Sequence, residues 1–141
     1  MENKIVLELF NGPDNPRNSE GSFAALRDGR IVFIYSHYYG KEGRDHSPAR
    51  LCARYSSDGG RTWTADDVVV LENEGHRNVM SVSLLRLQDG RLGLWYARKD
   101  DIDNCHTDDA VLLAYCCGGG RKSGVLQDTC IRRVTLDWLY E

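Results

Sequence analysis

The sequence lacks most of the features that assign a function at sight. Its longest apolar runs, such as IVFIY and VLLAY, are far too short to span a bilayer. Charge of one sign is not in excess: 18 Lys and Arg stand against 21 Asp and Glu, for a net charge of −3. Neither a nucleic-acid footprint nor a polybasic membrane patch follows from that balance, so no nucleic-acid or membrane partner is expected. The start, MENKIVLELF, lacks a signal-peptide core and cleavage site. As written the chain reads as cytoplasmic, or as secreted or periplasmic if a leader was removed. Cysteines number five (Cys52, Cys105, Cys116, Cys117 and Cys130), with no CxxC pair. The odd count argues against a disulfide framework and for free thiols. No stretch carries the i, i+3, i+4, i+7 apolar pattern of a helix.

What is there is a series of short apolar runs bounded by Gly, Asp, Asn and Ser, the pattern of an all-β protein. Strands are expected at 5–10, 22–27, 31–37, 50–56, 67–72, 80–87, 91–98, 110–116 and 130–136. Two regions repeat. SFAALRDGRIVFIYS begins at Ser22 and SLLRLQDGRLGLWYA at Ser83, with Asp28-Gly29-Arg30 and Asp89-Gly90-Arg91 lying 61 residues apart. Asp-Gly marks a tight hairpin, because glycine accepts the positive φ such turns need. A period near 60 residues, filled by about four strands, points to β-propeller blades.

Within the first unit, SSDGGRTW (56–63) falls between the third and fourth strands. Asp58 and Ser56 can bond backbone amides of the turn, the glycines can take left-handed conformations, and Trp63 can pack the turn down. A folding role needs nothing more.

SSDGGRTW also matches the Asp-box pattern S-x-D-x-G-x-T-W, through Ser56, Asp58, Gly60, Thr62 and Trp63. With NPRNSEGSFAALRDGRIVFIYSHYYG, NVMSVSLLRLQDGRLGLWYARKD and the tail VLLAYCCGGGRKSG…IRRVTLDWLYE, the chain resembles bacterial sialidase-like BNR-repeat proteins over nearly its whole length. The resemblance implies an all-β fold of sialidase-type propeller blades, with the Asp-box away from the active site. It also implies glycoside hydrolase or glycan-binding function, a glycan partner that is sialylated or otherwise, and no cofactor or metal.

Family members usually have six blades and are more than twice this long. The chain therefore reads as one truncated propeller domain, 1–141. Its first blade is 12–73; 74–141 with 1–10 forms a second, closing blade, where IVLELF pairs with CIRRVTL. The strand AVLLAYC has no partner strand or DGR turn before it, which suggests an internal deletion near 104–110. Two blades cannot close a ring and would leave apolar sides exposed. Self-association is expected, as a trimer completing six blades or as a dimer. A non-catalytic, self-associating module is the alternative to a glycan-handling protein.

Strand alternation sorts the loops. The DGR turns and the Asp-box share one end, and the longer charged loops share the other. Arg17, Glu20, His37, Asp45, His46, Glu74, His76, Arg77, Arg98 and Asp101 should gather there. By the resemblance, Asp45 stands where the family's acid/base aspartate lies, and otherwise reads as a solvated loop residue before Pro48. The first carboxylate-binding arginine has no direct counterpart. Its place reads Asn18-Ser19-Glu20-Gly21, leaving Arg17 or Arg77 as substitutes, with His46 and Arg98 as further substrate contacts. The family's other arginines and its Tyr/Glu nucleophile pair have no identifiable counterparts. Glu20 and Asp45 could instead be acid and base on another sugar. Two further clusters carry less: Cys105, His106, Asp108 and Asp109 lack a metal-site spacing, and Gly118-Gly119-Gly120-Arg121-Lys122 lacks a following helix and the Walker spacing.

Overall fold

A computed structural model describes residues 4–101, together with the backbone of three short strands at 105–106, 114–117 and 128–131. Everything described is strand, turn or extended chain. The elements are β1 (Asn18–Ala25), β2 (Ile31–Tyr38), β3 (Ala49–Ser56), β4 (Val68–Leu71), β5 (Asn78–Arg86), β6 (Leu92–Lys99), β7 (Cys105–His106), β8 (Ala114–Cys117) and β9 (Asp128–Ile131). They form three antiparallel sheets, in the orders β1-β2-β3-β4, β5-β6-β7 and β8-β9. Among the described residues no helix is long and apolar enough to cross a membrane.

The core follows from alternation. Val32, Ile34 and Ser36 of β2 pair with Tyr55, Ala53 and Leu51 of β3, so these residues share one face. Against that face pack Val79 and Val82 of β5, and Val32, Ile34, Leu51, Ala53, Val79 and Val82 form the buried cluster. The second sheet thus stacks on the first. Polar groups pin the stack: Leu84 N donates to Ser22 Oγ (3.1 Å), Ser81 N to Ser36 Oγ (3.1 Å), and Arg27 to the carbonyl of Asp89.

The two units are built alike. In each DGR turn the arginine amide and Nε both donate to the aspartate, at 3.1 and 2.8 Å for Asp28 and 2.8 and 2.6 Å for Asp89. Gly29 and Gly90 take φ of 86° and 82°, which a Cβ would oppose. Each first strand also carries a bulge, between Ser19 and Gly21 in β1 and between Met80 and Ser83 in β5. No residue type marked these bulges in advance.

The N-terminal run departs from expectation. Residues 5–10 alternate poorly with polar positions, form no strand and take no ladder partner. They lie instead as an extended strap over the outer face of the first sheet, where Asn18 Nδ2 donates to the Leu9 carbonyl at 3.2 Å. Of the closing partner expected at 130–136, only Cys130 and Ile131 are described. The described part of that region, β9, pairs with β8. Residues 102–104, 107–113, 118–127 and 132–141, which hold the deletion point, Asp108, Asp109 and the Gly-Gly-Gly-Arg-Lys loop, lie outside the described residues.

Candidate functional site

Two ends of the stacked sheets are chemically different. At one end the β1–β2, β3–β4 and β5–β6 turns gather. At the other lie the segment before β1, the long β2–β3 connection, the β4–β5 connection and the residues after β6.

The Asp-box occupies the first end, between β3 and β4. Ser56 Oγ accepts from Gly60 N (2.9 Å) and donates to Asp58 Oδ1 (2.8 Å). Asp58 in turn accepts from the amides of Arg61 and Thr62, both at 2.9 Å, and from Thr62 Oγ1 at 2.7 Å. These donors, the Thr62 hydroxyl first, hold the Asp58 carboxyl far below the usual carboxylate range. Gly59 and Gly60 take φ of 74° and 86°. Trp63 meets Phe33 edge to face, with ring centroids 6.2 Å apart. Ser56, Asp58 and Thr62 spend their hydrogen bonds on one another and on the loop's own backbone, which suits a folding role.

The opposite end collects the charged candidates. Arg17 Nη1 donates to Asp45 Oδ1 at 2.5 Å and to the Gly43 carbonyl at 3.3 Å, while Nη2 faces Glu20 Oε1 at 3.5 Å. The guanidinium also lies over the buried Tyr38 ring, 4.7 Å from its centroid. Arg17, Glu20 and Asp45, expected at one rim, thus meet in one cluster. Glu20 is placed by the β1 bulge, and Ser19 Oγ donates to it at 2.5 Å. The Arg17 hydrogen bond keeps Asp45 below its ordinary pKa, with Lys99 and His46 adding to the effect.

Asn78 locks this loop to the second sheet. Fully buried, its Nδ2 donates to the carbonyls of Asp45 (2.8 Å) and Ser47 (2.9 Å). Lys99 Nζ approaches the same Asp45 carbonyl at 3.5 Å. Neither residue stood out in the sequence, because both act across 31 residues or more.

The other candidates form a neighbouring group. Arg98 pairs with Asp100 at 3.2 Å, and Asp100 accepts from the His76 amide at 2.9 Å. Arg77 places its backbone amide on the Lys99 carbonyl at 2.9 Å. Glu74 accepts a hydrogen bond from the Tyr96 hydroxyl. His37 does not join the rim. It is buried on the outer face of β2, where its Nδ1 lies 3.4 Å from Asp67 Oδ2. Tyr35 on the same face donates to Asp67 Oδ1 at 2.5 Å.

Compared with known proteins, the chain matches no family model and no curated relative.

Proposed function

We propose that this chain is a fragment of a sialidase-type propeller, about two blades, whose charged rim binds an acidic sugar. Arg17 is the carboxylate-binding residue, Arg77, Arg98 and Lys99 supply positive charge around it, and His46 is a further sugar contact. The observation that carries this reading is the meeting of Arg17 with Glu20 and Asp45, from segments 28 residues apart, at the end opposite the Asp-box. An arginine fixed over a tyrosine ring keeps a planar fork of donors in place, which suits a carboxylate.

Binding is favoured over hydrolysis. A general acid needs a pKa raised toward the working pH. Asp45 is instead held ionised by Arg17, with its side chain 68% exposed. It serves better as an internal occupant of the arginine, which an incoming carboxylate displaces.

The test is an equilibrium titration with sialic acid and with its neutral methyl ester. Wild type is expected to prefer the acid. Arg17→Ala, which removes a charge-assisted contact worth about 1.5–3 kcal/mol, should weaken binding about tenfold or more. Asp45→Asn should tighten it by up to about fivefold, because the displaced ion pair is an exposed one worth less than about 1 kcal/mol. Equal binding of acid and ester would sink the reading. Turnover of a sialoside that Asp45→Asn abolishes would restore the hydrolase.

A second reading, the self-associating module, is favoured by a different observation. Ile5, Phe10 and Phe23 are 71%, 78% and 72% exposed on the outer face of the first sheet. Such a patch marks a contact surface.

A further inference from the structure

Beneath the N-terminal strap, the outer face of the first sheet holds polar side chains that the rim does not use. His37, Cys52 and Asp67 bring one nitrogen, one sulfur and one oxygen within 4.8 Å of one another. They arrive from β2, β3 and the residue before β4, so the arrangement is set by strand pairing and not by one flexible loop. His37 is 7% exposed and Cys52 fully buried. We propose that these three residues form a binding site for a divalent cation of the zinc type.

Four features support it. First, His37 Nδ1 is buried without a hydrogen-bond partner, although Asp67 Oδ2 lies only 3.4 Å away. The two atoms face each other out of hydrogen-bond alignment. A separation of about 3.4 Å is the edge of a tetrahedron whose centre lies about 2.1 Å from each corner, the bond length zinc makes to nitrogen and oxygen.

Second, Asp67 is oriented as metal-bound carboxylates are. Its Oδ1 accepts from Tyr35 at 2.5 Å and lies 2.6 Å from Arg54 Nε, which turns Oδ2 toward His37. Arg54 is itself tied to the carbonyls of Thr64 and Ala65.

Third, the histidine is held in place: it is 7% exposed and lies on β2 opposite Arg50 of β3. Fourth, the donor set of imidazole, thiol and carboxylate is one that zinc and its neighbours prefer over calcium or magnesium.

Coordination by Cys52 forms the metal–sulfur bond as the S–H proton leaves to solvent. Thiolate and carboxylate together offset the charge of the ion. Of the two flanking guanidiniums, Arg50 has its own counter-ion in Glu72 at 3.7 Å. A groove of about 470 Å³ between the strap and Tyr35, Arg54, Trp63 and Asp67 reaches the site at Asp67.

Cobalt(II) is the probe, because a thiolate–cobalt bond absorbs in the near ultraviolet. One equivalent should bind with that band, and zinc should displace it. Cys52→Ala should lose the band. Tyr35→Phe, which removes one of the two groups holding Asp67 Oδ1, should weaken affinity about 10- to 100-fold. A second variant retains Cys52 and replaces Cys105, Cys116, Cys117 and Cys130 by serine. It should keep the band, and it decides the matter if Cys52→Ala fails to fold. No band in that variant, or a band that survives in folded Cys52→Ala, overturns the site.

Discussion

At the scale of single residues, the tightest local device is the cap made by Ser56 and Asp58. Ser56 is 1% exposed and its hydroxyl serves Gly60 and Asp58 together. Ser56→Ala should cost about 1–2 kcal/mol, read as a lower urea midpoint at unchanged slope. Gly60→Ala isolates the backbone contribution. The added Cβ would meet nothing closer than 3.9 Å, yet φ stays at +86°, so the left-handed penalty of about 1–2 kcal/mol should appear alone. Asp45 gives a pH signature. Its folded pKa lies below the unfolded value of about 3.9, so the Arg17 pair stabilises the fold above that pH. The contribution is lost as pH falls through the folded value. With 68% of the side chain exposed, solvent screening holds it under about 1 kcal/mol. Asp45→Asn should flatten the acid limb of the stability curve slightly, and high salt should do the same to wild type.

Among elements, β3 and β5 carry the stack. Leu51 is fully buried where the first sheet faces β5, and Leu51→Ala should cost about 2–5 kcal/mol in equilibrium unfolding. Asn78→Ala strands two carbonyls and should cost about 1–3 kcal/mol. How legible each part was in the sequence follows from the range of the forces. The DGR and SSDGGRTW turns could be read directly, since their hydrogen bonds close within four residues. The strands β1 to β6 were legible from alternation, within a few residues at each end, whereas the two-residue β7 was not. The N-terminal IVLELF run was misread as a strand. Its composition suits one, but a strand exists only where a neighbour offers a ladder, and here the nearest face is covered through side chains. The rim cluster was legible in part, because loop sorting placed Arg17, Glu20 and Asp45 together. Asn78, Lys99 and the grouping of His37, Cys52 and Asp67 were not. They depend on strand register and on sheet stacking, which no local pattern encodes.

At the scale of the whole molecule, the two stacked sheets bury one face of the first sheet, and among the described residues the other face lies under a thin strap. Ile5, Phe10 and Phe23 on that side predict concentration-dependent association. Light scattering on a gel-filtration column should give a discrete oligomer, a trimer if three copies complete a ring. Phe23→Lys should return it to monomer with little loss of folding stability, since that side chain is already 72% exposed. A wild-type monomer at high concentration would remove the module reading and leave the rim untouched. Acidic-sugar binding at the rim is read out by an amide correlation spectrum recorded during titration with sialic acid. Saturable shifts are expected at Arg17, Glu20, Asp45 and Lys99, absent in Arg17→Ala, with the Asp-box amides of residues 58–62 unmoved. Shifts centred on the Asp-box end, or none at a saturating sugar concentration, would contradict it.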